Sequence, residues 1–312
     1  MFSQEAPNPL SQAVIAALDQ AMLTKRSQQT RRPYLGASMW GDSCERKLGY
    51  VYHNTPIDEG RGFTPEILRV FDMGHDGEDR TAEYLRLAGF ELLTHTEEGK
   101  QFGFVAGEGK LKGHIDGVIM SGPEIPGLVY PVLWENKELN DKSWNETVRT
   151  GVKKSKPVYY AQTQTYMAYM ELPNGALFTT KNRNTGAVYV ELLPFDPRAA
   201  YLDAVAGIAP AAPRRLVHLA QCAVQVCRAR WRVLEWQIEA AYAAAVPEDE
   251  IAEAITLAMF PGSIPRFVEA CGVWRALIAD GRVAASERYR AWAALTGQGG
   301  FDEARATKHQ DK

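Results

Sequence analysis

The amino-acid order predicts a mixed α/β fold, with a mixed central β-sheet flanked by helices and an added C-terminal α-helical region. Three observations carry that expectation. A bounded helical pattern covers residues 64–87. Short β-like runs and helical segments then alternate from residue 90 to residue 195, and strand signals cease at about residue 200. A helix, a β-meander, more helices and a hairpin in that order make a sheet with helices packed on it.

Taken in order, residues 1–33 form an N-terminal helical segment. Leu10, Val14, Ala17, Leu18, Ala21 and Met22 recur at helical spacing, and a polar stretch then runs to Pro33. The core spans 34–200. Thr64-Pro65-Glu66 reads as a helix start, and Gly89 as the cap beyond its last turn. Strands are expected within 90–95, 101–106, 111–120 and 129–138. Pro131 lacks the amide a paired strand needs, so the last of these begins near Val132. Helices at 141–150 and 157–171 follow, then strands at 176–182 and 187–195 flanking the turn Asn184-Thr185-Gly186.

The third region, 201–312, is rich in Ala, Arg, Leu and Trp and is expected to be helical throughout, with breaks near 207–213 and 261–265. Arg214, His218, Gln221, Gln225, Arg228 and Arg232 fall at alternating steps of four and three. That stripe is expected to face solvent or a partner rather than to bind DNA, and the region as a whole to cap the site or form a homo-oligomer contact.

Composition narrows the class. Of 312 residues, 46% are hydrophobic and 23% charged, enough to bury a substantial core. The formal net charge of −3 gives no bulk attraction for a polyanion, so any such attraction must be local. The first residues lack a basic, then apolar, export pattern, and no apolar run reaches the roughly 18 residues of a membrane span. A soluble cytoplasmic protein with no membrane partner is expected. Cys44, Cys222, Cys227 and Cys271 are widely scattered and are expected to be free thiols.

The chemistry centres on Glu135-Asn136-Lys137. Strand side chains alternate, so Glu135 and Lys137 share one face of their strand. A charged pair is unusual where α/β sheets are normally apolar on both faces. Asp116 interrupts an apolar run on the preceding strand, with Gly113 and Gly117 beside it. Adjacent strands would bring Asp116 and Glu135 to one cation. Two carboxylates and a lysine suit magnesium-assisted phosphodiester hydrolysis: Mg²⁺ takes one or two carboxylates plus water and phosphate oxygens, and activates bound water. The lysine would position or help deprotonate that water and offset developing charge. The plainer alternative is an ion pair on a strand face.

Further residues fall into order around this triplet. Gly74 to Glu78 lies on the upstream helix, Gln162 and Tyr166 share a face of a downstream helix, and Ser38–Tyr50 reads SMWGDSCERKLGY. Together these resemble the RecB-type branch of the PD-(D/E)xK nuclease superfamily, which includes CRISPR-adaptation nucleases and phage recombination exonucleases. The likeness covers about residues 38–195. It matches G-x-x-x-(H/E) to Gly74–Glu78, G-x-x-D to Gly113–Asp116, E-x-K to Glu135–Lys137 and Q-x-x-x-Y to Gln162–Tyr166.

The resemblance implies a restriction-endonuclease-like core and a Mg²⁺- or Mn²⁺-dependent deoxyribonuclease, an exonuclease in recombination, repair or phage DNA processing. Asp116 and Glu135 become metal ligands together with the Asn136 backbone carbonyl. Glu78 becomes the helix-borne ligand, with His75 the alternative. Lys137 becomes the catalytic lysine, and Gln162 and Tyr166 orient it or grip phosphate. A single-strand-binding or annealing protein is the implied partner. The different-class alternative is a nucleic-acid-binding module that keeps the fold without turnover. Some members hold an iron–sulfur cluster. Here Cys222 and Cys227 are five apart on one helix and point about 140° apart, so no cluster is expected.

For the substrate, Lys142, Arg149, Lys153, Lys154 and Lys156 interleave with Trp144 and precede Tyr159 and Tyr160. Basic residues neutralise phosphates and aromatics stack on unpaired bases. Arg46 and Lys47 form a second candidate contact. DNA is the expected partner, without sequence-specific readout.

Overall fold

The computed structural model describes residues 8–42, 44–208 and 214–295. The chain divides into two compact units, Met1–Ala200 and Tyr201–Lys312. Helix α1 (Pro9–Ser27) belongs to the first. Asn8 caps it, and none of its residues is buried; its apolar side chains Leu10, Val14 and Leu18 are largely exposed. The first unit continues as β1 (Leu35–Gly36), α2 (Glu45–Tyr52), α3 (Pro65–Leu87), β2 (Glu91–Leu93), β3 (Gly103–Ala106), β4 (Leu111–His114), β5 (Gly117–Ser121) and β6 (Val132–Leu139). Then come α4 (Asp141–Thr150), α5 (Val152–Ser155), α6 (Pro157–Tyr169), β7 (Ala176–Asn182) and β8 (Val188–Leu193).

A five-stranded mixed sheet of order β2-β5-β6-β7-β8 is the frame. Strand β6 is central and almost wholly buried, antiparallel to β5 (Ile119 opposite Val132) and parallel to β7 (Leu133 opposite Ala176). A parallel neighbour needs a long crossover, which α4 to α6 supply. On one side Ala82 of α3 joins Leu92, Ile119, Val132, Trp134 and Leu177 in a single apolar cluster. Helix α3 starts where its composition says it should: Thr64 caps it through Ile67 N–H and Pro65 fills the first turn.

The run expected as one strand over 111–120 is two. Strand β4 pairs with β1 and β3 in a separate three-stranded sheet, whereas β5 pairs with β2 and β6. Asp116 therefore sits in the break between two sheets rather than on a strand. Gly117 permits that break, since a Cβ there would lie 2.7 Å from the Leu93 carbonyl.

Helix α7 (Pro197–Ile208) carries the boundary between the units. The second unit holds α8 (Arg214–Cys227), α9 (Trp231–Ala243), α10 (Glu248–Leu257), α11 (Met259–Gly262), α12 (Ile264–Ala279) and α13 (Glu287–Ala293). Its core joins Leu234, Ile238, Ile251, Trp274 and Leu277, among others. Of the stripe expected to face solvent or a partner, the part on α8 turns inward, whereas Arg228 and Arg232 are exposed. His218 and Gln225 are buried; Gln237 of α9 bonds both His218 and the Tyr201 hydroxyl, and Gln225 bonds Gln221. Buried polar groups need partners, and three helices here supply them to one another. Helix α8 ends at Cys227, so Arg228 and Arg232 lie beyond it. Part of the break expected near 207–213 falls outside the described residues, as does the Arg214 side chain. Among the described residues no helix is long and apolar enough to cross a membrane.

Candidate active site

Period-two alternation on β6 puts Glu135 and Lys137 on one face and Trp134 and Asn136 on the other. The second face is tied down: the Trp134 indole donates to Thr179 Oγ1 at 2.9 Å, and the Thr179 hydroxyl donates to Asn136 Oδ1 at 2.9 Å. That chain fixes the backbone of Asn136, whose N–H donates to Asp116 Oδ2 at 2.8 Å. So Asp116, although off the strand, is bonded to the strand that carries Glu135.

Lys137 Nζ bonds Glu135 Oε1, donates to the Asn136 carbonyl at 2.9 Å and lies 3.8 Å from Asp116 Oδ2. One ammonium is thus shared by two carboxylates and a backbone oxygen. From α6, Gln162 Nε2 donates to Glu135 Oε1 at 2.8 Å and to the Tyr166 hydroxyl at 3.0 Å. Tyr166 can come this close because Gly113 has no side chain; a Cβ there would stand 2.7 Å from the Tyr166 ring. Tyr159, expected with Tyr160 as an aromatic beside the 142–156 cations, places its ring centre 5.5 Å from Lys137 Nζ.

Burial sets the electrostatics. Glu135 is fully buried and Asp116 and Gln162 nearly so. Burial, reinforced by the Asp116 charge, raises the pKa of Glu135. Burial would lower that of Lys137, but the Glu135 and Asp116 charges more than reverse this and hold it above the usual lysine range. Lys137 is therefore a charged group at neutral pH. On α3, Glu78 is pushed up to about 7, first by burial and then by the charge of Asp116. Glu78 thus shares its electrostatic environment with the other carboxylates, whereas His75 is exposed at the rim.

Two cavities meet here. The larger, about 1190 Å³, is lined by Glu78, Asn136 and Lys137, and also by Lys25, Arg26, Arg31, Arg32 and Arg183. Its cations outnumber its acids, Asp72, Glu78 and Glu138. The smaller, about 410 Å³, is lined by Asp116, Gln162, Tyr166, Glu78 and His75, with Arg32, Tyr34 and Lys112. The run Lys25-Arg26 followed by Arg31-Arg32 is the readable sign of this basic lining, and it lies at the end of the N-terminal helix and in the polar stretch that runs to Pro33.

Tyr159 apart, the residues expected to bind nucleic acid line neither cavity. Trp144 donates to the Thr180 carbonyl at 3.3 Å, and the buried Tyr160 has Lys153 Nζ 4.8 Å above its ring. Lys156 pairs with Glu146, Lys153 with Asp196 and Lys47 with Asp42. Arg46, Lys142, Arg149 and Lys154 are exposed. The structure brings Glu78, Asp116, Glu135, Lys137, Gln162 and Tyr166 together; it does not bring the 142–156 cluster or Arg46 and Lys47 to them.

Whether this set suits a cation turns on its donors. Among the described residues, no three His, Cys, Asp or Glu side chains gather closely enough to hold an ion unaided. Mg²⁺ does not ask for three; it takes one or two carboxylates and fills the rest with water and phosphate oxygens. Asp116, Glu135 and the Asn136 carbonyl already converge on one positive charge. Glu135 Oε2 is buried without a hydrogen-bond partner, the kind of oxygen an ion satisfies. The four cysteines are free, Cys44 in the first unit and the others in the second.

No protein-family model matches the chain, and no curated protein does. Among solved structures it is similar to an alkaline exonuclease from Laribacter hongkongensis, at 16% identity over 64% of this chain and 93% of that one, with a TM-score of 0.42. It is also similar to that enzyme in complex with dAMP, at 17% identity over 60% of this chain and 90% of that one, with a TM-score of 0.42.

Proposed function

We propose that this protein is a Mg²⁺- or Mn²⁺-dependent nuclease that hydrolyses DNA phosphodiester bonds. The observation that carries the reading is the shared ammonium: Lys137 held between Glu135, Asp116 and the Asn136 carbonyl, beside a cavity rich in cations. Asp116, Glu135 and the Asn136 carbonyl would hold the ion, with Glu78 joining directly or through water. When bound, the ion supplies Lewis acidity, lowering the pKa of a bound water and neutralising phosphate charge.

The chain's own groups do the rest. Lys137, charged at neutral pH, sets a positive charge against the developing charge on the phosphorus centre. Beside the bound ion it would position the attacking water or help deprotonate it. Gln162 holds the Glu135 carboxylate in one orientation, and Tyr166 holds Gln162. Arg32, which lines both cavities, and its neighbours Lys25, Arg26 and Arg31 would take the flanking phosphates. No base-reading element is evident in this lining, so selection by strand end or strand state fits better than selection by sequence. The exonuclease assignment, and a role in recombination or repair, rest on the motif resemblance.

The test is a digest of labelled linear and circular DNA by purified protein with Mg²⁺, Mn²⁺ or chelator. Metal-dependent loss of linear DNA is expected. Survival of linear DNA in both metals, where the protein binds it, refutes the enzyme reading. Equal loss of circles refutes the exonuclease part alone.

A further inference from the structure

One wall of the larger cavity lies apart from the carboxylates and the lysine. Phe63 ends the loop before α3, and Phe71 lies within that helix; their rings meet edge-on with centres 5.0 Å apart. Both line the cavity and both stay nearly half exposed, at 47% and 44%. Ile57 and Val70 extend the apolar surface along the same cavity. A single exposed apolar side chain is ordinary, but a contiguous group on a cavity wall marks a binding surface. The charge beside it says what binds. The Arg26 guanidinium stands 5.4 Å from the centre of the Phe63 ring, and Arg32 lines the same cavity. Aromatic faces interleaved with guanidinium groups suit a ligand that carries flat rings and repeated negative charges.

Resting on the nuclease reading, we propose that Phe63 and Phe71 form a stacking platform for unpaired bases, so that the site takes a single-stranded stretch of polynucleotide. A base within a duplex has both faces covered by its neighbours, whereas an unpaired base can give one face to a side chain. The strand's phosphates lie on Arg26 and Arg32 while its bases rest on the two rings. The same cavity is lined by Glu78 and Lys137, so a strand held on this wall feeds the carboxylates.

The experiment is fluorescence anisotropy in Ca²⁺ with three labelled probes: an oligothymidylate, an abasic strand of the same length and a blunt duplex. The full chain is compared with Phe63→Leu/Phe71→Leu, which keeps apolar bulk and removes the π faces, so that folding can be matched by thermal melting. The unsubstituted protein is expected to prefer oligothymidylate to both other probes. The double variant is expected to lose about tenfold in affinity for oligothymidylate per base stacked, with abasic-strand affinity unchanged. Equal losses on the two single strands, no loss at all, or a parent protein that binds duplex as tightly as single strand overturns the platform. Intact base-dependent binding without any cleavage in Mg²⁺ or Mn²⁺ overturns the nuclease reading and leaves the platform standing.

Discussion

Gly77 offers a sharp perturbation because two local rules oppose each other there. It lies inside α3, where replacing Gly by Ala normally stabilises by about 1 kcal/mol. In this structure a Cβ at Gly77 would stand 2.3 Å from Glu138 Cγ and 2.5 Å from Glu138 Oε1, about 1 Å short of ordinary van der Waals contact. Glu138 cannot retreat freely: its buried carboxylate pairs with Lys181 at 3.0 Å. Either α3 moves off β6 by about that distance or the ion pair breaks. Overpacking of this kind costs about 1–3 kcal/mol, enough to outweigh the helix gain. Moving α3 also moves Glu78, the next residue, and a misplacement of about 1 Å can cost on the order of 100-fold in rate. Gly77→Ala is therefore expected to lower both the melting temperature and the cleavage rate. Adding Glu138→Ala, which empties the contested space, should return most of the rate. Thermal melting and initial rates on linear DNA in Mg²⁺ read both effects. A Gly77→Ala protein as active as the parent, and more stable, refutes the claim that close approach of α3 positions Glu78.

The remaining predictions concern the site itself. Lys137→Ala is expected to reduce cleavage by about 100-fold or more while DNA binding in Ca²⁺ stays near normal; unchanged cleavage removes the lysine from the mechanism. Saturating Mg²⁺ should raise the melting temperature of the parent, by an amount equivalent to about 2.7 kcal/mol at 100 times Kd, and Glu135→Gln or Asp116→Asn should abolish that rise. An equal rise in parent and variants would place the ion elsewhere. In chelator, Glu78 holds its proton in the folded protein up to about 7, whereas the unfolded chain releases it near 4.5. The folded state then binds the extra proton, so stability declines as pH climbs through that window. Glu78→Gln should flatten this decline in a melting-temperature profile, and parallel profiles would deny Glu78 its shifted ionisation.

Much of the frame was legible because it is written in near neighbours. Period-two alternation placed Glu135 and Lys137 on one strand face, and they share a bond; helical spacing placed Gln162 and Tyr166 together, and their side chains meet at 3.0 Å. The hairpin at 176–193 and the start of β6 at Val132 follow from turn residues and a missing proline amide. What sequence order could not decide was which segments meet. Asp116 looked like a strand residue because its flanks are apolar, but those flanks pair into different sheets. The polar stripe on α8 reads as a solvent or partner face, since periodicity shows that one face is polar and is silent on what covers it; Tyr201 meets it at Gln221 and Gln237 at His218. The basic run at 142–156 is dense in sequence, while the cations lining the large cavity come from residues 25–32, 137 and 183. Sequence by itself determined most local elements and the shared faces of Glu135 with Lys137 and of Gln162 with Tyr166. Tertiary structure decided the cavity and its charge, because these arise between segments far apart in the chain whose contacts no local pattern encodes.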